Sequence, residues 1–456
     1  MQITVNVPSG KRCYLIIFKK IFHRFFLLDI PFVRYDCTYP VHRFFHTQHS
    51  THTNWCSGFY TFFAMERRRL ATGALCIAVT ALLAAGCGNS SSSGTRTAAD
   101  DKKIIAFDTS DSTKAYSQYA QGFKVTYTNG AKLVEISDPT AKNNTVYRFA
   151  LTEDLSNPLP DGYTPIKIPV ERIICMTTLQ LAGFITLDET EYVSGMSSTR
   201  FLHNETVRRQ IDEGITKRIG IEGNFDNEVI MNINPNLIYF SPFKRGGYDG
   251  LKEAGIPLVP HLGYKEPHPL GQAEWIKFIA LFINEEAKAN RIFNDIAQQY
   301  NTLKEKVAQQ QGERPVVLSG EIHGGSWYAV GGKSFLAQLF KDAGADYVLK
   351  DNNESGGINF DFETMYEKAA NAQYWRIMNG YQGEYTYEVL GKSDPRYKDF
   401  RAYREKGVIY CNQREKGFYE SSPTQPHLVL KDLVKIFHPT LVEEDYKGTF
   451  YTLLEK

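Results

Sequence analysis

The sequence has 456 residues, and its 52 Lys and Arg against 51 Asp and Glu leave a formal net charge of +1. With 42% hydrophobic and 23% charged residues, the composition is that of a globular protein, which excludes global disorder and collagen-like repeats. A balanced charge gives no general support for nucleic-acid binding. No apolar run reaches the ~18 residues of a spanning helix, which argues against a multi-pass membrane protein.

The N-terminal part differs from the rest in composition. Residues 1–64 contain Asp29 and Asp36 as their only acids, and their many Phe residues follow neither a helical nor a strand period. From Met65 a basic head, an apolar run over 70–85 and small residues follow one another, as in a secretory signal peptide. Because such a signal must lie near a start codon, we predict that Met65 is the true start. The alternative is a genuine N-terminal extension.

The signal ends in Ala84-Ala85-Gly86-Cys87, which resembles the lipobox of bacterial lipoproteins. In that motif the cysteine is lipidated and becomes the mature N-terminus, and Ala84 stands where Leu is commonest. The serine-rich stretch that follows is typical of a flexible tether. These features predict a lipid-anchored protein of the bacterial cell envelope that faces the periplasm. The alternative is a chance cysteine after an ordinary signal.

The folded body begins with a β-rich segment. Alternating stretches at 123–127 and 132–136 flank Asn129-Gly130, which is a strong hairpin signal, and 146–150 continues the strand pattern. No function follows from this segment.

From about residue 166, short apolar strands alternate with helices, which argues for parallel α/β sheets. A long amphipathic stretch at 271–313, with a break near Asn284, divides two such regions. The predicted fold class is therefore α/β: two αβ lobes with mainly parallel sheets, joined by one long connecting helix, with a ligand cleft between the lobes.

The two lobes echo each other in sequence. Glu228 opens a short helix, and Asn236 leads into a strand eight residues later. Glu363 and Asn371 repeat this spacing in the second lobe. Two similar lobes would give such a repeat.

Several segments carry a family resemblance. Residues 217–238, 266–277 and 428–439, together with the lipobox and the connecting helix, resemble the periplasmic binding proteins of ABC importers for iron–siderophore complexes, haem and cobalamin, Bacteroidetes-type members included. The resemblance covers about 166–456. The expected organisation is an upstream extension at 1–64, a lipoprotein signal peptide at 65–86, a tether at 87–101, a β-rich segment at 102–165, lobe 1 at 166–270, the connecting helix at 271–313 and lobe 2 at 314–456.

The resemblance implies a receptor that captures such a metal chelate or corrinoid and delivers it to a permease with its ATPase subunits. It implies a lipid-anchored monomer that catalyses no reaction, binds no nucleic acid and has no cofactor of its own, although the ligand can contain iron or cobalt. Two alternatives stay open: a surface or adhesin-like lipoprotein that kept the fold without transport, and an extracytoplasmic hydrolase.

Motifs for enzymatic chemistry are missing from the sequence. Gly331-Gly332-Lys333-Ser334 suggests a phosphate loop, but Trp327 stands where a Walker A motif needs Gly. The histidines show no metal-ligand spacing, so we expect no metal site. Cys175 and Cys411 lie in apolar, strand-like contexts, which favours buried free thiols over a disulfide.

The ligand contacts are expected on loops at the carboxyl ends of the strands, between the lobes. Aromatic faces suit a flat macrocycle and Arg suits an anionic chelate. The loop 324–328 is the main candidate, because glycines let the backbone approach a ligand. For each residue the alternative is packing or solvated surface. The candidate contacts are Thr177, Thr178, Arg200, Phe201, Tyr264, His268, Glu321, His323, Trp327, Tyr328, Arg414 and Tyr419.

The resemblance also implies a docking role for one acidic residue on each lobe. In the family such residues meet arginines on the outer face of the permease, and the matching positions here are Glu228 and Glu363. The alternative is that both carboxylates only stabilise a helix N-terminus.

Overall fold

The computed structural model describes residues 113–455, apart from 142–144, 198, 222–223 and 243–247, and three strands near the N-terminus. Those strands, β1 (Gln2–Asn6), β2 (Arg12–Phe18) and β3 (Phe32–Tyr35), pair antiparallel within a unit that comprises residues 1–102. The predicted signal peptide, the tether and Cys87 lie outside the described residues, so they stay predictions. Everything below concerns the second unit, 103–456.

A four-stranded sheet opens this unit. Its strands are β4 (Phe123–Thr128), β5 (Ala131–Ile136), β6 (Tyr147–Thr152) and β7 (Thr164–Lys167), in that order. The predicted hairpin is confirmed, with Gly130 at a φ of 98° in its turn. We did not predict β7, which pairs parallel to β6 at the edge of the sheet. It contains Pro165, which removes a ladder donor and weakens the strand signal.

Lobe 1 is built on a parallel five-stranded sheet with the order β10-β9-β8-β13-β14. Its core strand β8 is entirely buried, as are all four residues of β13. A small antiparallel hairpin, β11–β12, lies beside it. The strands are β8 (Ile173–Cys175), β9 (Val193–Met196), β10 (Lys217–Arg218), β11 (Gly220–Ile221), β12 (Asn224–Phe225), β13 (Leu237–Phe240) and β14 (Leu258–Pro260). The helices are α1 (Thr178–Leu187), α2 (Glu205–Asp212), α3 (Asn227–Ile233) and α4 (Asp249–Glu253).

Lobe 2 repeats the plan with the order β18-β15-β20-β21-β22, in which only β22 runs antiparallel. The mainly parallel α/β character that the sequence predicted is confirmed. A second, antiparallel sheet, β16-β17-β19, was not predicted. The strands are β15 (Val316–Ser319), β16 (Glu321–His323), β17 (Ser326–Val330), β18 (Asp346–Tyr347), β19 (Gly357–Phe360), β20 (Tyr374–Asn379), β21 (Val408–Asn412) and β22 (Thr452–Leu453).

The stretch between the lobes consists of three helices, α5 (Pro269–Ala273), α6 (Trp275–Ile283) and α7 (Glu286–Ala308). The predicted break is confirmed, because Asn284 adopts a left-handed conformation with a φ of 59°. The 23 residues of α7 span about 35 Å at 1.5 Å per residue. Lobe 2 then adds α8 (Phe335–Asp342), α9 (Phe362–Ala369), α10 (Tyr387–Ser393), α11 (Arg401–Arg404), α12 (Phe418–Ser421) and α13 (Pro426–Phe437).

A buried carboxylate fastens the N-terminal segment to these helices. Glu274, fully buried, accepts through Oε2 from the backbone N–H groups of Gln118 (2.8 Å), Tyr119 (2.6 Å) and Ala120 (2.8 Å). Its Oε1 accepts from Lys277 Nζ at 2.8 Å. A buried charge is costly unless it is paired and hydrogen-bonded, and Glu274 is both.

A second carboxylate continues this row. Glu266 accepts from the N–H of Gln121 at 2.9 Å and of Gly122 at 2.8 Å, and from Trp275 Nε1 at 2.9 Å. Burial raises the pKa of Glu266, and these hydrogen bonds oppose the rise. Five consecutive backbone N–H groups, 118–122, thus find side-chain acceptors at one helix junction.

The sheet reaches the helix break through Lys132 on β5. Its Nζ donates to the backbone oxygen of Leu281 at 3.0 Å and to Asn284 Oδ1 at 2.8 Å, and it forms an ion pair with Glu286. One ammonium group therefore bridges the end of α6, the left-handed residue and the start of α7. The segment for which the sequence suggested no function braces the connection between the lobes.

We predict that Glu274→Ala destabilises the folded unit severely. Three N–H groups and the Lys277 ammonium would lose their buried acceptor, so the free energy of unfolding should fall by about 3–5 kcal/mol. Urea denaturation followed by circular dichroism measures this. The matched control is Glu305→Ala on the exposed face of α7, which should change stability by no more than about 0.5 kcal/mol. Equal effects of the two substitutions would contradict the assignment.

Candidate functional site

The carboxyl ends of the central strands of both lobes define the candidate site. In lobe 1 the strands β8 and β9 end at Cys175 and Met196. In lobe 2 the strands β15, β20 and β21 end at Ser319, Asn379 and Asn412. The residues that directly follow these ends carry most of the predicted contacts, as expected for a parallel sheet.

Three of the predicted residues from both lobes meet around one aromatic ring. The guanidinium of Arg200 lies 5.0 Å from the centre of the Phe201 ring, and that of Arg414 lies 6.0 Å from it. Arg414 also donates through Nε to the backbone oxygen of Gly380 at 2.6 Å. The ring leaves so little room that a Cβ on Gly380 would lie 3.2 Å from it. The loop after β9 thus touches the loops after β20 and β21, and the lobes are in contact here.

A second contact between the lobes was missed by the sequence analysis. Glu420 on α12 accepts through Oε2 from the backbone N–H of His203 at 2.9 Å, directly before helix α2. Nearby, the hydroxyl oxygens of Thr186 and Thr424 lie 2.7 Å apart. Burial raises the pKa of Glu420, and the N–H groups it accepts from counteract this. Sequence reasoning had no signal for this pair, because 217 residues separate Glu420 from His203.

The lobe 2 side contains a half-buried carboxylate among aromatic rings. Glu321 Oε1 accepts from Asn379 Nδ2 at 3.3 Å and lies 3.7 Å from His323 Nε2. Asn379 Oδ1 accepts from the Tyr410 hydroxyl at 2.9 Å, and the Tyr410 ring stacks on Tyr385 with centres 4.4 Å apart. Burial raises the pKa of Glu321, against which His323 and Asn379 act.

The structure brings the predicted Glu321 and His323 together, and it adds Asn379, Tyr385 and Tyr410. Asn379 could have been found from the sequence, since it is the last residue of β20, a largely apolar run of the kind that marks a strand.

Trp327 corrects the prediction for the loop 324–328. Its side chain is fully buried, its ring centre lies 5.5 Å from that of Trp375, and its Nε1 donates to the Ser319 backbone oxygen at 3.1 Å. It is therefore a core residue and not accessible to a ligand. The segment forms a tight hairpin between β16 and β17. In strand β17 the side chains alternate, so Tyr328 faces outward and is 45% exposed.

Two further candidates lie beside the N-terminal segment instead of at the strand ends. His268 is the N-cap of α5, where its Nδ1 accepts from the Leu270 N–H at 3.1 Å, and its ring stacks on Tyr119 at 5.7 Å. Tyr264 lies next to Lys265, which pairs with Asp138 at 3.3 Å. Neither residue is among those that meet around Phe201, and their contact with a ligand stays a prediction.

The remaining candidates keep positions compatible with a cleft. Thr177 and Thr178 are partly buried at the start of α1, directly after β8. Tyr419 on α12 is 38% exposed and follows the loop of Arg414.

The glycine-rich sequence 331–334 has a structural explanation. A side chain at Gly331 or Gly332 would overlap the backbone oxygens of Glu354 and Leu349. Ser334 caps helix α8 by accepting from the Ala337 N–H at 3.2 Å. The motif thus serves close packing and helix capping.

Several further findings limit the chemistry of the described residues. Cys175 and Cys411 are buried free thiols, as predicted, and burial raises the pKa of both. Within the described ranges, no group of three His, Cys, Asp or Glu is placed to hold a metal ion. None of the helices in that part of the chain is long and apolar enough to cross a membrane.

The two predicted docking carboxylates occupy equivalent places. Helix α3 is capped by Asp226, which accepts from the Val229 N–H at 3.0 Å, and helix α9 is capped by Asp361, which accepts from the Thr364 N–H at 2.6 Å. Glu228 and Glu363 each follow two residues after the cap and are exposed. Because aspartates perform the capping, both glutamates keep their carboxylates on the surface. Glu363 differs in lying 3.7 Å from Arg396.

Comparison with known proteins places this geometry in context. A family model described as periplasmic binding protein matches residues 173–415. An uncharacterized lipoprotein of Methanocaldococcus jannaschii is 26% identical over 423 residues, which cover 84% of this chain and 94% of that protein.

Solved structures show the same fold. A periplasmic heme binding protein from Pseudomonas aeruginosa aligns with a TM-score of 0.51 at 15% identity, over 63% of this chain and 99% of that one. A periplasmic binding protein from Veillonella parvula aligns with a TM-score of 0.51 at 14% identity, over 67% and 98% of the two chains.

We predict that Glu321→Gln stabilises the protein at neutral pH. Burial disfavours the ionised carboxylate, so the pKa of Glu321 is higher in the folded than in the unfolded state. The wild type therefore loses stability as the pH rises from the pKa of Glu321 in the unfolded state to its pKa in the folded state. The Glu321→Gln variant does not, because its amide is not ionised. At a pH below the unfolded-state pKa of about 4.3, the difference in stability between the variant and the wild type should vanish.

Urea denaturation at pH 7 and pH 4 measures this difference. The exposed Glu354→Gln in the same lobe serves as control. A variant that is less stable than the wild type at pH 7 would show that the carboxylate is stabilised by its partners.

Proposed function

Because the chain belongs to the periplasmic binding protein family, we propose that it captures an iron chelate, haem or cobalamin outside the membrane and delivers it to an ABC permease. The observation that carries this proposal is the meeting of strand-end loops from both lobes around Phe201, with Arg200 and Arg414 on it. The matched region 173–415 contains the central strands of both sheets. Large chelates present flat or polar surfaces that such loops can enclose between two lobes.

The proposal includes a lipid anchor at Cys87. The relative from Methanocaldococcus jannaschii, which this chain matches over most of its length, is named as a lipoprotein. A lipid anchor would keep the receptor beside its permease, and stable anchoring takes more than one acyl chain.

The helix arrangement also supports small domain movements. The junction of α6 and α7 is held by Lys132, and the lobes are in contact at Phe201 and at Glu420. Closure on a ligand would then be small compared with that of hinge-type binding proteins.

Ligand binding is tested with haemin, a ferric siderophore and cyanocobalamin as probes. We expect one of them to remain with the protein during purification, as detected by its absorbance, and to raise the midpoint of thermal unfolding. A ligand at 100 times its dissociation constant raises the free energy of unfolding by about 2.7 kcal/mol. Phe201→Ala should weaken binding at least tenfold, because the ring joins both lobes. The control Leu155→Ala removes an exposed apolar side chain of the N-terminal segment and should change nothing.

If none of the three probes stabilises the protein, the receptor proposal fails. The result would then favour a surface or adhesin-like lipoprotein that kept the fold. Turnover of a probe into a product would instead favour an extracytoplasmic hydrolase.

Docking is tested by uptake in cells that contain the cognate permease. Glu228→Ala and Glu363→Ala should each reduce transport modestly, because exposed ion pairs contribute about 1 kcal/mol or less. The double variant should reduce it severely, since two separated charges fix the orientation of the encounter. Glu228→Ala should have the larger single effect, because Arg396 already lies beside Glu363.

The affinity of the isolated double variant for the ligand should stay unchanged, and Glu305→Ala should transport normally. Full uptake by the double variant, or loss of its ligand binding, would refute the docking assignment.

A further inference from the structure

A cavity at the edge of the cleft is lined by an unusual number of arginines. It measures about 300 Å³ and opens to solvent. Arg200 lies in the loop after β9, Arg208 on helix α2, Arg218 on the edge strand β10 and Arg414 in the loop after β21. Four different elements of the fold thus place an arginine in the lining of one cavity.

Among the described residues that line this cavity, positive charges outnumber negative ones. Asp212 is the single carboxylate among the lining residues, and His203 adds a further nitrogen donor. Within the described part of the chain, no ion pair involves any of the four arginines. Asp212 stands one helical turn after Arg208, which is the less favourable order of the two charges on a helix, and the two residues form no ion pair. The carboxylate of Glu420 accepts from the His203 N–H and also interacts electrostatically with Arg208, so it offsets part of the positive charge.

An excess of guanidinium groups over carboxylates around one cavity indicates the chemistry of an occupant. A planar guanidinium presents paired N–H donors that match the oxygens of a carboxylate or a phosphate. Four guanidinium groups around one cavity would repel a cationic ligand, and their electrostatic attraction for a neutral ligand would be weak. The groups that complement this cavity are oxyanions that carry several negative charges.

The lobes contribute unequally to the cavity. Eight of the nine lining residues belong to lobe 1, and Arg414 alone comes from lobe 2. Arg414 is held in place by its hydrogen bond to Gly380 and by the Phe201 ring. An anion in the cavity therefore contacts both lobes only when these are together.

We propose that this cavity binds the negatively charged oxygens of the transported ligand, which is therefore a chelate rich in carboxylate or phosphate groups and not a neutral or cationic one. The proposal rests on the receptor function proposed above and narrows its ligand class. It also assigns Arg208 and Arg218, which the sequence analysis did not single out, to ligand selection. Arg414 couples the charge of the ligand to contact between the lobes.

The test uses citrate and pyrophosphate as probes for the two oxyanion chemistries. Isothermal titration of the full chain at low salt should show one binding event for at least one probe, while sodium chloride at matched ionic strength should show none. Arg208→Gln and Arg414→Gln should each weaken binding by roughly tenfold or more, as expected for hydrogen bonds between charged groups. The preferred probe distinguishes carboxylate from phosphate chemistry.

The matched control is Arg172→Gln. Arg172 is an arginine of the same lobe that pairs with Glu171 at 3.2 Å outside the cavity, and its loss should leave the affinity unchanged. Unchanged thermal unfolding in all variants shows that they fold. Arg208→Lys, which keeps the charge and loses the paired donors, should fall between wild type and Arg208→Gln.

Two results would overturn the proposal. One is the absence of binding for both probes by the wild type. The other is binding that Arg208→Gln and Arg414→Gln leave intact, which would mark it as unspecific. If the wild type binds neither citrate nor pyrophosphate but is stabilised by haemin, the ferric siderophore or cyanocobalamin, the proposed receptor function is retained. Only the ligand class proposed here is then refuted.

Discussion

The structure depends on two buried carboxylates, one at the junction of helices α5 and α6 and one shortly before α5. Glu274 and Glu266 accept the five N–H groups of residues 118–122, which otherwise would be left without partners at the surface of a helix pair. An ionised group in the interior is tolerated only when its hydrogen-bonding capacity is filled. The buried carboxylates depend on these N–H groups as hydrogen-bond donors, and the N–H groups depend on the carboxylates as acceptors. The position of the N-terminal sheet and the packing of the inter-lobe helices are consequences of the same pairing.

Patterns that act locally were predictable from the sequence. The helix break at Asn284 and the hairpin at Gly130 depend on residues that tolerate a positive φ, and both were found where expected. The antiparallel sheet of β16, β17 and β19 was missed, since three short strands interrupted by glycines resemble a loop.

The site was predictable only in part, for a related reason. Strand ends can be located from apolar runs, which is why Arg200, Phe201, Arg414 and Glu321 were candidates. Successive side chains of a strand point to opposite faces. A shift of one residue in the predicted strand therefore decides whether a given side chain points into the cleft or into the core. Trp327 and Tyr328 are adjacent, and one is fully buried while the other is 45% exposed. Partners far apart in the chain, such as Glu420 and His203, follow from the packing of whole lobes.

The attachment of the N-terminal sheet at the helix junction has a mechanical consequence. Any pull transmitted along the chain from its N-terminal side first reaches residues 118–122, which Glu274 and Glu266 hold against the helices, and then the sheet, from which Lys132 contacts both sides of the break at Asn284. These contacts lie on the helices that connect the two lobes. A pull from this side would therefore act on the connection between the lobes and not on one lobe alone.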